Sequence, residues 1–142
     1  MLVTDDDGLR SVLDAETIAV VGCSTTSSKA AHRIPAYMQR QGYRVVPVNP
    51  YADEILGETA YDSLGDVPDS IDIDLVDVFR PSDEAGEVVD EAIGRADTVG
   101  DVDGVWLQLN ITDDAAADRA VDAGLDFVQD RCLKVEHQRL VG

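Results

Sequence analysis

The chain alternates short apolar runs with segments of helical spacing, and this alternation limits the folds open to it more than any other feature. The runs are Thr17-Ile-Ala-Val-Val-Gly22, Tyr43-Arg-Val-Val-Pro-Val48, Ile71 to Phe79, Gly104-Val-Trp-Leu-Gln-Leu109 and Leu125-Asp-Phe-Val-Gln129. Each is rich in Val, Ile or Leu and is bounded by turn residues, the pattern of a strand buried on both faces. Pro47 marks its run as an edge strand or a strand end. Helical spacing lies between the runs. Thr4 is the expected cap of a first helix, with Asp5, Asp6 and Asp7 suiting its positive dipole end and Leu9, Val12 and Leu13 its apolar stripe. Ile34, Tyr37, Met38 and Gln41 form a second, stopped by Gly42. Ser82 caps a third running from Asp83 to Ala96, and Thr112 a fourth from Asp113 to Ala123, stopped by Gly124. Glu54 to Tyr61 is ambiguous, Asp62 to Ser70 reads as a turn-rich connector with a short helix, and the tail from Asp130 reads as irregular. The expected fold is therefore α/β and Rossmann-like, a parallel sheet with helices on both faces in three layers. We expect one domain over 1–142, with the helix in 1–15 leaning on it. In such sheets the ligand lies beyond the carboxyl ends of the strands, which points to the loops after Gly22, Val48, Phe79 and Leu109.

Charge excludes several partners. Against 29 Asp and Glu stand 11 Lys and Arg, a net charge of −18. Such a surface cannot displace counterions from nucleic-acid phosphates, nor dock on an anionic membrane. The acids are 22 Asp and 7 Glu, and only Lys29 and Lys134 are lysines. A strongly acidic, lysine-poor chain is expected of a halophile's cytoplasm, where salt screens the self-repulsion within a few Å. No apolar run is long enough to span a membrane and no signal peptide is evident. Two cysteines, Cys23 and Cys132, are too few for a disulfide framework.

The loop after the first run carries the clearest chemistry. Gly22, Cys23, Ser24, Thr25, Thr26 and Ser27 are small or polar and open a helix, where backbone N–H groups and the dipole favour a phosphate. Lys29 and Arg33 lie four apart on one helical face. The plainer reading is a Ser-rich cap with two surface cations. A dinucleotide fingerprint fails, because Ser24 and Ser27 occupy its second and third Gly positions, and Asn49-Pro50 stands where the ribose-binding acid should end the second strand. No G-K-[ST] occurs, so a P-loop fails too.

The runs Ile18-Ala-Val-Val-Gly22-Cys-Ser24, Gly42-Tyr-Arg-Val-Val-Pro-Val-Asn-Pro50, Leu56-Gly-Glu, Val76-Asp-Val-Phe-Arg80, Val105-Trp-Leu-Gln-Leu109, Ala123-Gly-Leu125 and Asp130-Arg-Cys132 carry a family resemblance. Over residues 16–140 the chain resembles the small stand-alone CoA-binding proteins, whose fold is shared with the N-terminal domain of the succinyl-CoA ligase alpha subunit. Asp97 to Asp103 looks like a local insertion. The resemblance implies that coenzyme A is the ligand. It implies that Ser24, Thr25, Thr26 and Ser27 sit at the CoA phosphates, with Lys29 and Arg33 as nearby cations. Asn49 and Pro50 would border the adenosine, Phe79 and Arg80 the nucleotide or pantetheine arm, and Gln108 and Leu109 the pantetheine path. The ligase places a lysine just after its second strand; here Tyr51 and Ala52 stand there.

No catalytic set or metal site emerges. Cys23, beside a helix N-terminus that would lower its pKa, is a candidate for a mixed disulfide with the CoA thiol, although packing is the plainer role. Cys132 reads the same way. His32 and His137 match no zinc spacing. Trp106 reads as core and the Asp-rich runs as solvated surface. The expected function is a non-catalytic CoA or acyl-CoA binding protein: a carrier, a sensor or a thiol-capping accessory protein. The alternatives are a subunit of an acyl-CoA ligase completed by another chain, and an NAD(P)-binding oxidoreductase domain. A homodimer or a partner subunit stays open.

Overall fold

Burial on both faces is what makes the apolar runs strands. The computed structural model describes residues 1–142. In chain order the elements are α1 (Asp6–Val12), β1 (Thr17–Val21), α2 (Ala30–Arg40), β2 (Arg44–Val48), β3 (Glu54–Ile55), β4 (Glu58–Thr59), a 3-10 turn (Leu64–Asp66), β5 (Leu75–Val78), α3 (Ser82–Thr98), β6 (Gly104–Leu107), α4 (Asp114–Asp122), β7 (Asp126–Val128) and α5 (Leu133–Leu140). Five strands form one sheet in the order β2-β1-β5-β6-β7, and every pair in it is parallel. The ambiguous segment is a two-stranded hairpin, turned by Leu56 and Gly57, both at positive φ, as a two-residue hairpin turn requires.

Alternation along the strands feeds two cores. Ala19, Val21, Val76, Val78, Val105 and Leu107 face α3 and α4. Ile18, Val20, Leu75, Trp106 and Val128 face α1, α2 and α5. The result is the three-layer Rossmann-like arrangement. Trp106 is core as expected, fully buried, with its indole N–H donating to the Arg131 carbonyl at 2.8 Å. Pro47 does lie in an edge strand, β2. The outer side of β2 is met by a parallel bridge between Val48 and Tyr61, and the opposite edge, β7, by a bridge between Leu2 and Phe127.

Several expectations are corrected. The tail from Asp130 is not irregular: it holds α5, whose inward stripe is Leu133, Glu136, His137 and Leu140. Two polar residues on that stripe hid its period. The caps shift by one position. Asp5, not Thr4, accepts from the Gly8 N–H at 3.0 Å, and Asp113, not Thr112, accepts from the Ala116 N–H at 3.0 Å. Ser82 lies inside α3, and its hydroxyl instead accepts from the Thr112 N–H at 3.0 Å. Nor are all the aspartates solvated. Asp77 in β5 is fully buried, neither carboxyl oxygen has a partner, and burial pushes its pKa well above the usual range. Asp101 is buried too, accepting from Arg95 Nε at 3.0 Å and from the Ile73 N–H at 3.0 Å. The same guanidinium donates to the carbonyls of Val67, Pro68 and Ile71 at 2.7, 3.1 and 2.9 Å. Arg95 thereby straps the connector before β5 onto the end of α3. No helix is long and apolar enough to cross a membrane.

Candidate binding cleft

The chain runs from β1 outward to β2, then returns past β1 to form β5. Strand order therefore reverses between β1 and β5, and the loops leaving their carboxyl ends diverge, which opens a crevice. A cleft of about 540 Å³ lies there, within the range of small-molecule sites. Gly22, Cys23, Ser24 and Lys29 line it from the loop after β1, Asn49, Pro50 and Tyr51 from that after β2, and Phe79 and Arg80 from that after β5. Asp62, Ser63 and Leu64 of the connector and Glu84, Glu87 and Glu91 of α3 complete the wall.

The loop after β1 is built by local backbone chemistry. Gly22 has φ +87°, and a Cβ there would stand 3.2 Å from Arg80 Cδ and 3.3 Å from Phe79. Only glycine lets these two strand ends come so close. Its N–H donates to the Val48 carbonyl at 3.0 Å, joining the loop to β2. Pro35 lies within α2 and has no N–H to offer the Ala31 carbonyl one turn back. That carbonyl instead accepts from the Ser24 N–H at 3.0 Å, so a missing helix bond anchors the loop. The Ser24 hydroxyl in turn accepts from the Thr26 N–H at 3.0 Å.

The start of α2 differs from every other helix start in the molecule. Lys29 is its N-cap residue, no side chain caps it, and its first turn holds no acid. Each of the other four helices has at least one acid in its first turn, and two also have an aspartate cap. Lys29 and Arg33 are exposed, and neither has an acidic partner. Uncapped N–H groups, a helix dipole and an unpaired ammonium together favour an anion.

The other loops are less open to a polyanion. Asn49 uses its whole amide internally: Nδ2 donates to the Cys23 carbonyl at 2.9 Å and Oδ1 accepts from the Tyr51 N–H at 2.7 Å. It braces the ends of β1 and β2 and holds Tyr51 out at the rim. Arg80 is engaged by Glu84, its Nη2 lying 2.8 and 2.9 Å from the two carboxylate oxygens. Glu84, Glu87 and Glu91 make the α3 wall acidic, and burial raises the pKa of Glu91. Cys23 is fully buried, and burial first, then the nearby Asp77, pushes its thiol up to about 12. This corrects the expectation of a depressed pKa: desolvation outweighs the helix start, and Cys23 remains a thiol. Cys132 precedes α5 and is half-buried, and the two cysteines are unpaired.

Of the residues expected at a site, Gly22, Cys23, Ser24, Lys29, Asn49, Pro50, Phe79 and Arg80 come together in the cleft. Thr25, Thr26 and Ser27 lie exposed on the loop crest, outside the lining, and Arg33 lies one turn further along α2. Gln108 and Leu109 follow β6, one strand beyond the crevice. Gln108 is buried and its Oε1 accepts from the Leu133 N–H at 3.2 Å, fixing the start of α5, while Leu109 is exposed. Tyr51, Asp62, Glu84, Glu87 and Glu91 were not foreseen. The three glutamates share one helical face by their spacing, a signal present in the sequence. No group of three or more His, Cys, Asp or Glu side chains is placed to hold a metal.

Residues 16–138 match the family described as CoA binding domain. The chain is 34% identical over 123 residues to the uncharacterized protein YneT of Bacillus subtilis, covering 87% of this chain and 86% of that one. It is 35% identical over 72 residues to an ADP-forming acetate–CoA ligase of Archaeoglobus fulgidus, 49% of this chain but only 11% of the ligase. Among solved structures, a Thermus thermophilus protein superposes with a TM-score of 0.85 at 38% identity, covering 96% of this chain and 99% of that one.

Proposed function

Because the chain belongs to the CoA-binding domain family, we propose that it binds coenzyme A or an acyl-CoA in the cleft between the ends of β1 and β5, as a non-catalytic module. The observation that carries this reading is the start of α2: uncapped, acid-free and headed by an unpaired Lys29, in a chain otherwise crowded with acids. An acidic protein that leaves one helix start bare of acids has kept a place for an anion. Gly22 and Ser24 bring the backbone up to that place, and Arg80 reaches the phosphates once it parts from Glu84. A dinucleotide is less suited, since Asn49, at the position of a ribose-binding acid, has both ends of its amide engaged within the protein. A carrier or sensor role fits better than thiol capping through Cys23, which burial keeps protonated. The local likeness to an acetate–CoA ligase supports a second reading, a ligase subunit whose remaining domains come from another chain.

Calorimetric titration with CoA, NAD and ATP in concentrated KCl tests the proposal. Saturable binding of CoA alone is expected. Folded protein that does not bind CoA overturns it, and nucleotide-dependent acyl-CoA synthesis on adding a partner chain would favour the ligase reading. We read the acidic, lysine-poor surface as that of a halophile's cytoplasmic protein. Dilution into low salt is then expected to unfold it, and full stability there would count against the salt adaptation while leaving the ligand untouched.

A further inference from the structure

Tyr51 is 94% exposed, an unusual state for a large aromatic side chain, and it stands on the wall of the cleft. Its backbone is fixed, because Asn49 Oδ1 takes its N–H at 2.7 Å while the other end of the same amide holds the loop after β1. The ring thus projects from a braced turn with no protein surface packed on it. Phe79, the other aromatic residue of the lining, packs against the core that carries α1, α2 and α5 and is half-buried. The opposite wall, on α3, is acidic and repels phosphate. A ligand whose phosphates sit at Lys29 therefore finds one open aromatic face, at the rim after β2.

We propose that Tyr51 is the residue that selects for the nucleotide half of the ligand, by stacking on its purine base. The inference rests on the reading of the cleft as a CoA site. CoA has a single flat aromatic group, its adenine, and a tyrosine on a braced backbone has only two side-chain torsions to fix when a base covers it. Base–aromatic stacking also tolerates an open geometry, because it needs only one exposed face.

The test compares wild type, Tyr51→Phe and Tyr51→Ala in titrations with CoA and with 4′-phosphopantetheine, which lacks the adenosine. Tyr51→Ala is expected to weaken CoA about 5- to 150-fold, the range for losing one stacked base, and to leave 4′-phosphopantetheine unchanged. Tyr51→Phe keeps CoA affinity within about twofold, since the ring and not the hydroxyl does the stacking. In wild type, CoA shifts the Tyr51 ring proton resonances upfield. Wild-type CoA affinity in Tyr51→Ala, or an equal loss for both ligands, overturns the role of Tyr51 while the CoA site stands. A folded wild type that binds neither ligand overturns the CoA reading itself, and the stacking role with it.

Discussion

At the amino ends of the strands, Asp14, Glu16, Asp74, Asp103 and Asp126 line a hollow of about 360 Å³ that has no cation on its wall. One cation at this end, Arg95, is buried beside Asp101 and four acceptors hold it, so its charge serves the fold alone. At the carboxyl ends the arrangement is reversed. Lys29 is exposed and unpaired, Arg80 is held only by a surface pair with Glu84, and the start of α2 carries no acid. Arg95 and Lys29 thus show two uses of positive charge on one sheet: enclosed and saturated below, open and unpaired above. The difference shows why a net charge of −18 does not exclude a polyanionic ligand, because what matters is where the few cations stand.

Substitutions at the two ends should separate these uses. The largest effect is expected at Arg95. Arg95→Met leaves the Asp101 carboxylate buried without its partner, a loss of about 3–5 kcal/mol. Chemical denaturation in concentrated salt measures it, and the CoA affinity of protein that remains folded should not change. A loss of affinity without a loss of stability would break the comparison. Lys29→Glu comes next and should move two readouts in opposite directions. It places an acid where the anion belongs, and affinity for CoA should fall by more than about 100-fold, the loss of a charge-assisted contact plus repulsion. The same acid suits the dipole of α2, so thermal stability should rise by up to about 1 kcal/mol. Calorimetry and thermal melts of one preparation read both. The smallest effect belongs to the lower hollow. Asp103 has a raised pKa because of burial first and then Asp74, Asp72, Asp126 and Asp101. A raised carboxyl pKa in the folded state means a penalty that is absent below the unfolded pKa and complete above the folded one, so this group's contribution to stability falls as pH rises through that interval. Asp103→Asn should remove that dependence, raise the melting temperature slightly at neutral pH, and reduce the loss of stability on lowering salt. An unchanged pH profile would show that the acids of the hollow do not act together.

Much of the architecture was legible because buried parallel strands are contiguous apolar runs, and all five of them form the sheet. What escaped has definite causes. α5 turns Glu136 and His137 inward, where they are buried, so hydrophobic periodicity could not reveal it. The caps slipped by one residue because Thr4-Asp5 and Thr112-Asp113 each offer two good cap residues in a row, and only backbone geometry chooses between them. In the candidate cleft, the lining residues next to β1, β2 and β5 were legible from strand ends. Gln108 and Leu109 were expected there too, but β6 lies one strand beyond the reversal in strand order, which depends on pairing and not on local sequence. Pro35 shows the limit best. Read locally it interrupts a helix, and only the structure reveals that the carbonyl it leaves bare holds Ser24 in place.

The short bridges at the two margins of the sheet have a further consequence. Tyr61 meets the outer side of β2, where Pro47 also lacks an amide to offer, and Leu2 meets the outer side of β7. Unpaired margins are where sheets from different molecules join and aggregates begin. β7 is met along its short outer side, and β2 only near its carboxyl end, where Pro47 removes a further donor, so a strand from a neighbouring copy finds little more than the amino half of β2 to pair with. As long as these bridges hold, crowding favours association through side-chain surfaces over continuous cross-strand assemblies.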